Sequence, residues 1–269
     1  MTDTNYLMES GDESLRLELK TDDRKVIEQA TWAGIKAGMR VADLGCGPGK
    51  TTAALHQLTI PHGETIGVDF SEKRISYAEN NYQEKGIAFH CRDIGQPLED
   101  LGKFDFIWVR FVLEYHLAEA SDIVDNILRI LKPGGIICLI DLDNNCLNHF
   151  DIPERLERTI YNIMAMMQEK SNFDPFAGRK LYSHLFTRNL ADIQVKVAGH
   201  HVIYGDLQDS DAFNWLKKAE IAPQKIGFDF AEYDGGYDEF LEEFKTFFYN
   251  PGRFTYSPII LSRAIKPVT

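Results

Sequence analysis

Several features that would place a chain outside the cell or in a membrane are missing from this sequence. It has only four cysteines, scattered without the spacing of a metal site or a disulfide framework. No apolar run approaches the roughly 20 residues that a membrane-spanning helix needs. Residues 1–14 are polar and lack the apolar segment of a signal peptide. We therefore expect a cytoplasmic protein with reduced thiols, no bound metal and no membrane span.

Basic residues are also scarce relative to acidic ones. The chain carries 29 Lys and Arg residues against 41 Asp and Glu residues, for a formal net charge of −12. Because polyanions repel a chain of this charge, nucleic acid is disfavoured as the main partner. A length of 269 residues suffices for one large α/β domain with its own core. We expect a small-molecule partner; the sequence leaves the oligomeric state open, a homodimer included.

What the sequence does contain is a glycine-rich loop between a predicted strand and a predicted helix. Residues 41–50 read VADLGCGPGK, and a helical pattern follows from Thr51. A strand, a Gly-rich turn and a helix N-terminus in succession form a ligand site at the carboxyl edge of an α/β sheet. Gly45 and Gly47 allow a ligand to approach the backbone closely, since neither has a Cβ. Cys46, between them, is interpreted as a small packing residue and not as a nucleophile.

Two details of this loop argue against a dinucleotide. The third glycine, Gly49, comes one position earlier than in the G-x-G-x-x-G fingerprint. Asp43, two residues before the first glycine, sits badly beside a pyrophosphate but suits a ligand that carries an ammonium and a sulfonium. The D-x-G-x-G-x-G pattern resembles motif I of the class I S-adenosylmethionine (SAM) methyltransferases, in particular the ubiquinone/menaquinone-methyltransferase-like group. The Leu-Lys-Pro-Gly-Gly turn at residues 131–135 is typical of the same family.

The resemblance covers about residues 40–200 and the last predicted strand, and it implies a fold. That fold is α/β and Rossmann-like: a mostly parallel seven-stranded sheet with helices on both faces, an antiparallel last strand and a helical cap insert. We expect an N-terminal lid or helix at 1–39, a cofactor-binding core at 40–198, the cap insert at 199–254 and the last strand at 255–269. For residues 6–20, both helix and strand stay open. The aromatic stripe of residues 237–248 is predicted to pack its helix against the domain.

Acidic residues at strand ends are the main candidate cofactor ligands. Asp69 ends the predicted strand 64–69, near where a doubly wound fold places the acid that binds ribose hydroxyls. The resemblance implies SAM as the cofactor, with Asp93 holding the adenine amino group and Ile94 packing on the ring. It also places Tyr6 or Arg16 near the methionine end. The complete predicted cofactor-binding set is Tyr6, Arg16, Asp43, Gly45, Gly47, Asp69, Phe70, Arg74, Asp93, Ile94 and Arg110.

No catalytic residue can be named from the sequence. Many methylases of planar nitrogens carry (Asp/Asn)-Pro-Pro-(Tyr/Phe) after the fourth strand, whereas residues 110–113 read Arg-Phe-Val-Leu. This departure favours a small acceptor, apolar or aromatic, and a base is needed only if that acceptor must lose a proton. The candidate bases are His116, His200, His201 and Tyr204. An NAD(P)-dependent oxidoreductase and a non-catalytic SAM-binding protein remain alternatives.

Overall fold

Short apolar strands alternate with amphipathic helices to build a central sheet in the computed structural model, which describes residues 13–268. The strands are β1 (Arg40–Leu44), β2 (Glu64–Asp69), β3 (Ile87–Cys91), β4 (Phe104–Arg110), β5 (Leu131–Leu142), β6 (His149–Phe150), β7 (Ala191–Tyr204) and β8 (Phe254–Ile265). Seven of them correspond to the predicted strands. The eighth, β6, is a two-residue strand that pairs with the start of β8.

The helices lie on both faces of this sheet and in the segments that extend it. They are α1 (Glu13–Lys20), α2 (Asp23–Ala33), α3 (Lys50–Thr59), α4 (Glu72–Tyr82), α5 (Ala120–Arg129), α6 (Glu154–Ser171), α7 (Ala177–Phe186), α8 (Asp209–Lys225) and α9 (Gly236–Tyr249). Two 3₁₀ helices span Glu99–Leu101 and Leu113–Tyr115. The open choice between helix and strand near the N-terminus is resolved as helix for α1. Each helix in the described part of the chain is too short or too polar to span a membrane.

The strand order places the expected ligand site at the carboxyl ends of the parallel strands, near the middle of the sheet. Strands β3, β2, β1, β4 and β5 run parallel in that order, and β8 lies antiparallel between β5 and β7. The predicted antiparallel last strand is therefore confirmed. Chain order reverses between β1 and β4, which is the switch point where α/β sheets bind ligands. The carboxyl ends of β1, β2, β4 and β5 all open onto this place.

Two apolar cores cover the two faces of the sheet. Along β4, Phe106 and Trp108 pack towards α2 and α3, whereas Ile107 and Val109 pack towards α5 and α7. The alternation follows from the period of two in a strand. Trp108 and Ile107 are both fully buried, as expected for a central strand covered on both sides.

A third core joins α6, α8 and α9 outside the sheet. The stripe residues Phe240, Phe244, Phe247 and Phe248 are all buried in it, in contact with the apolar faces of the other two helices. The stripe thus packs its helix onto the domain, as the helical spacing predicts. Strand β7 continues to Tyr204, with register shifts after Ala191 and after His200, before the chain leaves the sheet.

Candidate functional site

A cleft of about 1010 Å³ lies at the carboxyl edge of β1, β2 and β4. Eight of the predicted cofactor residues line it together, although they come from four separate parts of the sequence. They are Gly45, Gly47, Asp69, Phe70, Arg74, Asp93, Ile94 and Arg110. These residues lie together because they follow the carboxyl ends of parallel strands, which share one edge of the sheet. The cleft wall also includes Lys50, Thr51, Arg92 and His116, which the sequence interpretation left out of the set.

The glycine loop forms the floor of this cleft in left-handed backbone conformations. Gly45, Gly47 and Gly49 have φ values of +82°, +55° and +94°, which L side chains rarely adopt. A Cβ on Gly45 would lie 2.3 Å from Cγ2 of Val112, so the second need for glycine here is packing within the protein. A Cβ on Gly47 would meet only Cδ1 of Leu17, at 3.6 Å. Gly47 is thus the position where a side chain enters the cleft without disturbing the core.

Asp69 links the loop to the next helix. Its Oδ2 accepts a hydrogen bond from the Gly47 backbone N–H at 3.0 Å, and its Oδ1 accepts from the Ser71 N–H at 2.9 Å. The Arg74 Nε donates to the same Oδ1 at 3.0 Å in a buried ion pair. A carboxylate offers about four acceptor positions, of which these three donors occupy three, and Asp69 lines the cleft. Arg74 is itself buried, at 3% exposure.

A buried charge cluster lies beneath the loop, where β1, β4 and β5 end. Arg110 stands between two acids, Asp43 on β1 and Asp141 on β5, whose charges both favour its protonated form. Burial lowers the pKa of Arg110 to about 10, so the guanidinium is still charged at neutral pH. Its Nε is buried and has no hydrogen-bond partner among the described residues. A half-buried guanidinium in a cleft wall, with its Nε not hydrogen-bonded to the described residues, is suited to a carboxylate group of a ligand.

Asp43 occupies a different place from the one its sequence position suggests. The motif places it in contact with the cofactor, but the side chain is 2% exposed and does not line the cleft. The reason is local: Oδ2 of Asp43 accepts a 2.7 Å hydrogen bond from the Thr52 hydroxyl on α3, which holds the carboxyl behind the loop. Burial raises the pKa of Asp43 to about 7, against the opposing effects of the Thr52 hydrogen bond and the Arg110 charge. Asp43 therefore supports the loop and Arg110 from beneath.

Helix α1 lies over the cleft and ties several elements together. Leu17 and Thr21 line the cleft. The Lys50 ammonium donates to the Glu18 carbonyl oxygen at 3.0 Å, and the Tyr82 hydroxyl donates to the Glu18 carboxylate. Arg16 does not line the cleft; it lines a neighbouring cavity and donates to Oδ1 of Asn214 on α8 at 2.9 Å. Tyr6, the other residue expected at the methionine end, lies outside the described residues.

The neighbouring cavity has a volume of about 770 Å³ and lies between α1, α6, α8 and α9. Its wall is mostly apolar, with Met164 and Met167 from α6, Trp215 from α8, and Phe240 and Phe244 from α9. Its polar members are Arg16, Glu114, Asn145 and Lys218. The sequence does not reveal this cavity, because residues spread from α1 to α9 form it only after the three outer helices have packed.

Three consecutive residues separate the cleft from this cavity. Glu114 lines the cavity, His116 lines the cleft and Tyr115 lines both. They belong to the 3₁₀ helix that follows β4 and to its end at His116. Like Asp69 and Asp93, Glu114 is an acid near the end of a strand. It was not predicted as a site residue because it lies four residues beyond the end of β4.

The other candidate bases lie elsewhere. His200 and His201 stand at an irregular turn of β7 with their rings 4.0 Å apart, and neither lines the cleft or the cavity. Tyr204 is 72% exposed. Burial lowers the pKa of His116, which keeps that imidazole neutral at physiological pH. Burial also raises the pKa of the Cys46 thiol well above its usual range, in agreement with a packing role.

The chemistry of the cleft residues fits a SAM molecule. A strand-end acid with one acceptor position left is available for a ribose hydroxyl, and the apolar Ile94 lies beside Asp93 for a planar base with an amino group. The half-buried guanidinium of Arg110 is available for the carboxylate of the methionine end. The fold and this site together define a class I methyltransferase-like α/β protein.

Comparison with known proteins agrees with this assignment. A family model described as a methyltransferase domain matches residues 35–202, which is more than half of the chain. The protein therefore belongs to the methyltransferase domain family. Two similar curated proteins are the ubiquinone biosynthesis O-methyltransferase of Coxiella burnetii, 33% identical over 111 residues, and the demethylmenaquinone methyltransferase of a Geobacillus strain, 28% identical over 110 residues. These alignments cover 40% and 39% of this chain and 45% and 46% of the relatives, so the chain spans about half the length of the curated relatives it matches.

Solved structures share the fold at low sequence identity. YcgJ of Bacillus subtilis superposes with a TM-score of 0.59 at 20% identity, covering 91% of this chain and 99% of that one. Phosphoethanolamine N-methyltransferase 2 of Haemonchus contortus, in a complex with S-adenosylhomocysteine, gives a TM-score of 0.60 at 14% identity over 99% of this chain and 61% of that one. The predicted Rossmann-like methyltransferase fold and the resemblance to quinone methyltransferases are confirmed.

Proposed function

We propose that this protein is a SAM-dependent methyltransferase whose acceptor is a small apolar or aromatic molecule. The observation that carries the proposal is the shared wall at Tyr115, which joins a polar cleft to an apolar cavity. Methyl transfer needs two ligands whose reacting atoms meet, and two cavities with one common residue supply that arrangement. The names of the similar quinone methyltransferases support a planar, apolar acceptor.

The residues of the cleft have distinct roles in this proposal. Asp69 accepts from a ribose hydroxyl while it holds Gly47 and Arg74, and Asp93 and Ile94 hold the adenine. Arg110 binds the carboxylate of the methionine end, and Asp43 and Asp141 keep its guanidinium in place. When bound, SAM supplies an activated methyl group on a cationic sulfur. The protein aligns the acceptor with that methyl group and excludes water.

The alternatives are less well supported. An NAD(P)-dependent oxidoreductase needs the glycine spacing of the dinucleotide fingerprint, and Gly49 stands one position too early for it. A non-catalytic SAM-binding protein needs no second cavity, whereas this chain builds one beside the cleft. The family match also favours catalysis.

The partner and the compartment follow from charge and thiol chemistry. We infer that nucleic acid is not a partner, since the formal net charge is −12. The four cysteines are free thiols, which supports a reducing compartment such as the cytoplasm. The oligomeric state stays open, with a homodimer as an option that size-exclusion chromatography with light scattering tests.

We propose that the apolar cavity beside the cleft is the acceptor cavity. Residues 205–254, together with α1, cover it. The support is that α8 and α9 supply much of its wall, including Trp215 and Phe244. Hydrogen exchange measured with SAM and with an aromatic alcohol such as 1-naphthol tests this role. Amides in residues 205–235 are expected to gain protection when 1-naphthol binds. If the same amides ignore both ligands, the insert is scaffold only.

Calorimetric titration with SAM, S-adenosylhomocysteine and NADH tests the function as a whole. We expect both adenosyl ligands to bind and NADH not to bind. Binding of NADH without SAM would overturn the proposal. A protein that binds SAM but methylates none of a broad panel of phenols, quinols and amines would favour the non-catalytic alternative.

A further inference from the structure

We propose that the acceptor presents a weakly acidic hydroxyl, such as a phenol, to Glu114, and that Glu114 takes its proton during methyl transfer. This inference rests on the proposed function and deepens it. It assigns a chemical class to the methylated atom, oxygen and not amine nitrogen, and a catalytic residue to the acceptor cavity.

The first support is the place of Glu114. It is 3% exposed and lines the apolar cavity directly beside Tyr115, the residue shared with the cofactor cleft. A carboxylate buried in an apolar wall is unfavourable unless it is held by hydrogen bonds. Its position next to the junction is where a methyl acceptor has to place its reacting atom.

The second support is the way the carboxylate is held. The Asn145 side-chain N–H donates to Oε2 of Glu114 at 2.9 Å, and Asn145 is itself only 5% exposed. Asn145 is held in turn by its backbone N–H, which donates to the Pro175 carbonyl at 3.0 Å, and the Asp174 N–H donates to the Glu114 carbonyl at 2.7 Å. Such a fixed carboxylate is oriented for proton transfer before any ligand arrives.

The third support is the charge of the surroundings. Asp141, on β5, is fully buried, and the backbone N–H groups of Leu113 and Glu114 favour its charged form. Burial and, after it, the charge of Glu114 raise the pKa of Asp141 well above its usual range.

Two cations line the same cavity, Arg16 and Lys218. They favour an acceptor that becomes an oxyanion and disfavour one that enters as an ammonium ion. The Glu114 carboxylate alone could bind a hydroxyl or an ammonium group. The two cations are therefore the observation that favours a hydroxyl. The Lys218 ammonium also lies 4.9 Å from the centre of the Trp215 ring, which fixes it on the cavity wall.

The proposed step balances in atoms and charge. The hydroxyl oxygen forms the new bond to the methyl carbon, and the electron pair of the broken carbon–sulfur bond stays on sulfur, which becomes neutral. The hydroxyl proton passes to the Glu114 carboxylate and is later released to water. No oxidant, reductant or metal takes part.

The test compares binding and rates for matched aromatic probes. Binding of 1-naphthol and of 1-methoxynaphthalene, which has no proton to donate, is measured by fluorescence with S-adenosylhomocysteine present. The wild-type protein should prefer 1-naphthol by about tenfold, the worth of a hydrogen bond to a charged group. Glu114→Gln should remove most of this preference, and Asn145→Ala should weaken it by misplacing the carboxylate. Glu242→Gln, an exposed change on α9, is the matched control and should behave as wild type.

The rates supply a readout that a purely structural role would not move. Methylation of 1-naphthol should fall about 100-fold or more in Glu114→Gln, since general-base catalysis contributes at least that much. The fall should be small for 4-nitrophenol at pH 8, where this phenol is largely ionised and needs no base. An equal loss across the phenols, or no preference for 1-naphthol over its methyl ether, overturns the inference. A wild-type protein that binds 1-naphthol through Glu114 but not SAM overturns the proposed function and leaves the hydroxyl site standing.

Discussion

The Asp69 carboxylate accepts the backbone N–H of Gly47 at 3.0 Å and so joins the end of β2 to the glycine loop after β1. The two residues are 22 positions apart in sequence, and the hydrogen bond sets the loop in the shape that lines the cleft. The same carboxylate holds the guanidinium of Arg74. Asp69 is therefore an organising residue as well as a candidate cofactor ligand.

We expect Asp69→Asn to weaken SAM binding by about 1.5–3 kcal/mol, because one hydrogen bond to a charged group is lost. The substitution also leaves the Arg74 charge buried without its partner, which costs about 3–5 kcal/mol of folding stability. Calorimetry and urea unfolding measure the two effects separately. Asp125→Asn, which removes an exposed partner of Arg188, should change neither. Unaltered SAM affinity in a folded Asp69→Asn protein would contradict the ribose assignment.

The glycine loop should respond differently at its first two glycines. Gly47→Ala needs only a left-handed alanine, a loss of about 1–2 kcal/mol in stability, but puts a methyl group into the cleft, so SAM binding should fall. Gly45→Ala adds a clash with Val112, an overpacking cost of about 1–3 kcal/mol. Thermal unfolding should show partial rescue of Gly45→Ala by Val112→Ala; without that rescue, the contact assigned to Val112 is wrong.

Asp43 predicts a pH dependence of stability. Its pKa in the fold is about 7, above the ordinary value of 3.8, so between these values the folded state binds more protons than the unfolded state. The free energy of unfolding should therefore fall as pH rises from about 4 to about 7, by roughly 4 kcal/mol from this group, and level off above 7. In Asp43→Asn the contribution of this group to the decline should be absent. Urea unfolding at several pH values measures it, and equal slopes in the two proteins would refute the assignment.

The two cavities should be separable by one substitution. Met164 lines only the acceptor cavity, so Met164→Trp is expected to fill it and abolish 1-naphthol binding while the affinity for SAM is kept. Tyr161→Trp, at an exposed site on the same helix, is the matched control. Loss of SAM binding in Met164→Trp, with the fold intact by circular dichroism, would show that the two sites are one.

Residues governed by local rules were predictable from the sequence. Asp69, Asp93 and Gly47 reach the cleft because a strand end or a tight turn puts them there, and these signals lie within a few residues of each position. Asp43 also ends a strand, but its side chain does not line the cleft, because the Thr52 hydroxyl near the start of α3 donates a hydrogen bond to its carboxyl. That choice depends on a side-chain contact that no spacing rule describes.

The acceptor cavity was not predictable for a different reason. Arg16 points to Asn214, 198 residues away in sequence, and Glu114 meets Asn145 only because the loop after β5 folds back. Such pairs depend on how α1, α6, α8 and α9 pack, which the apolar pattern of each helix leaves undetermined. The same pattern did predict that the aromatic face of α9 is buried.

Helix α1 has a consequence for the timing of turnover. Arg16 and Leu17 are neighbours in sequence, yet one borders the acceptor cavity and the other the cofactor cleft. If both ligands enter and leave past this helix, the two exchanges depend on the same opening. We then expect a product that remains bound to keep α1 in place and so delay the departure of the other product. Product release, and not chemistry, then limits the rate at saturating substrate.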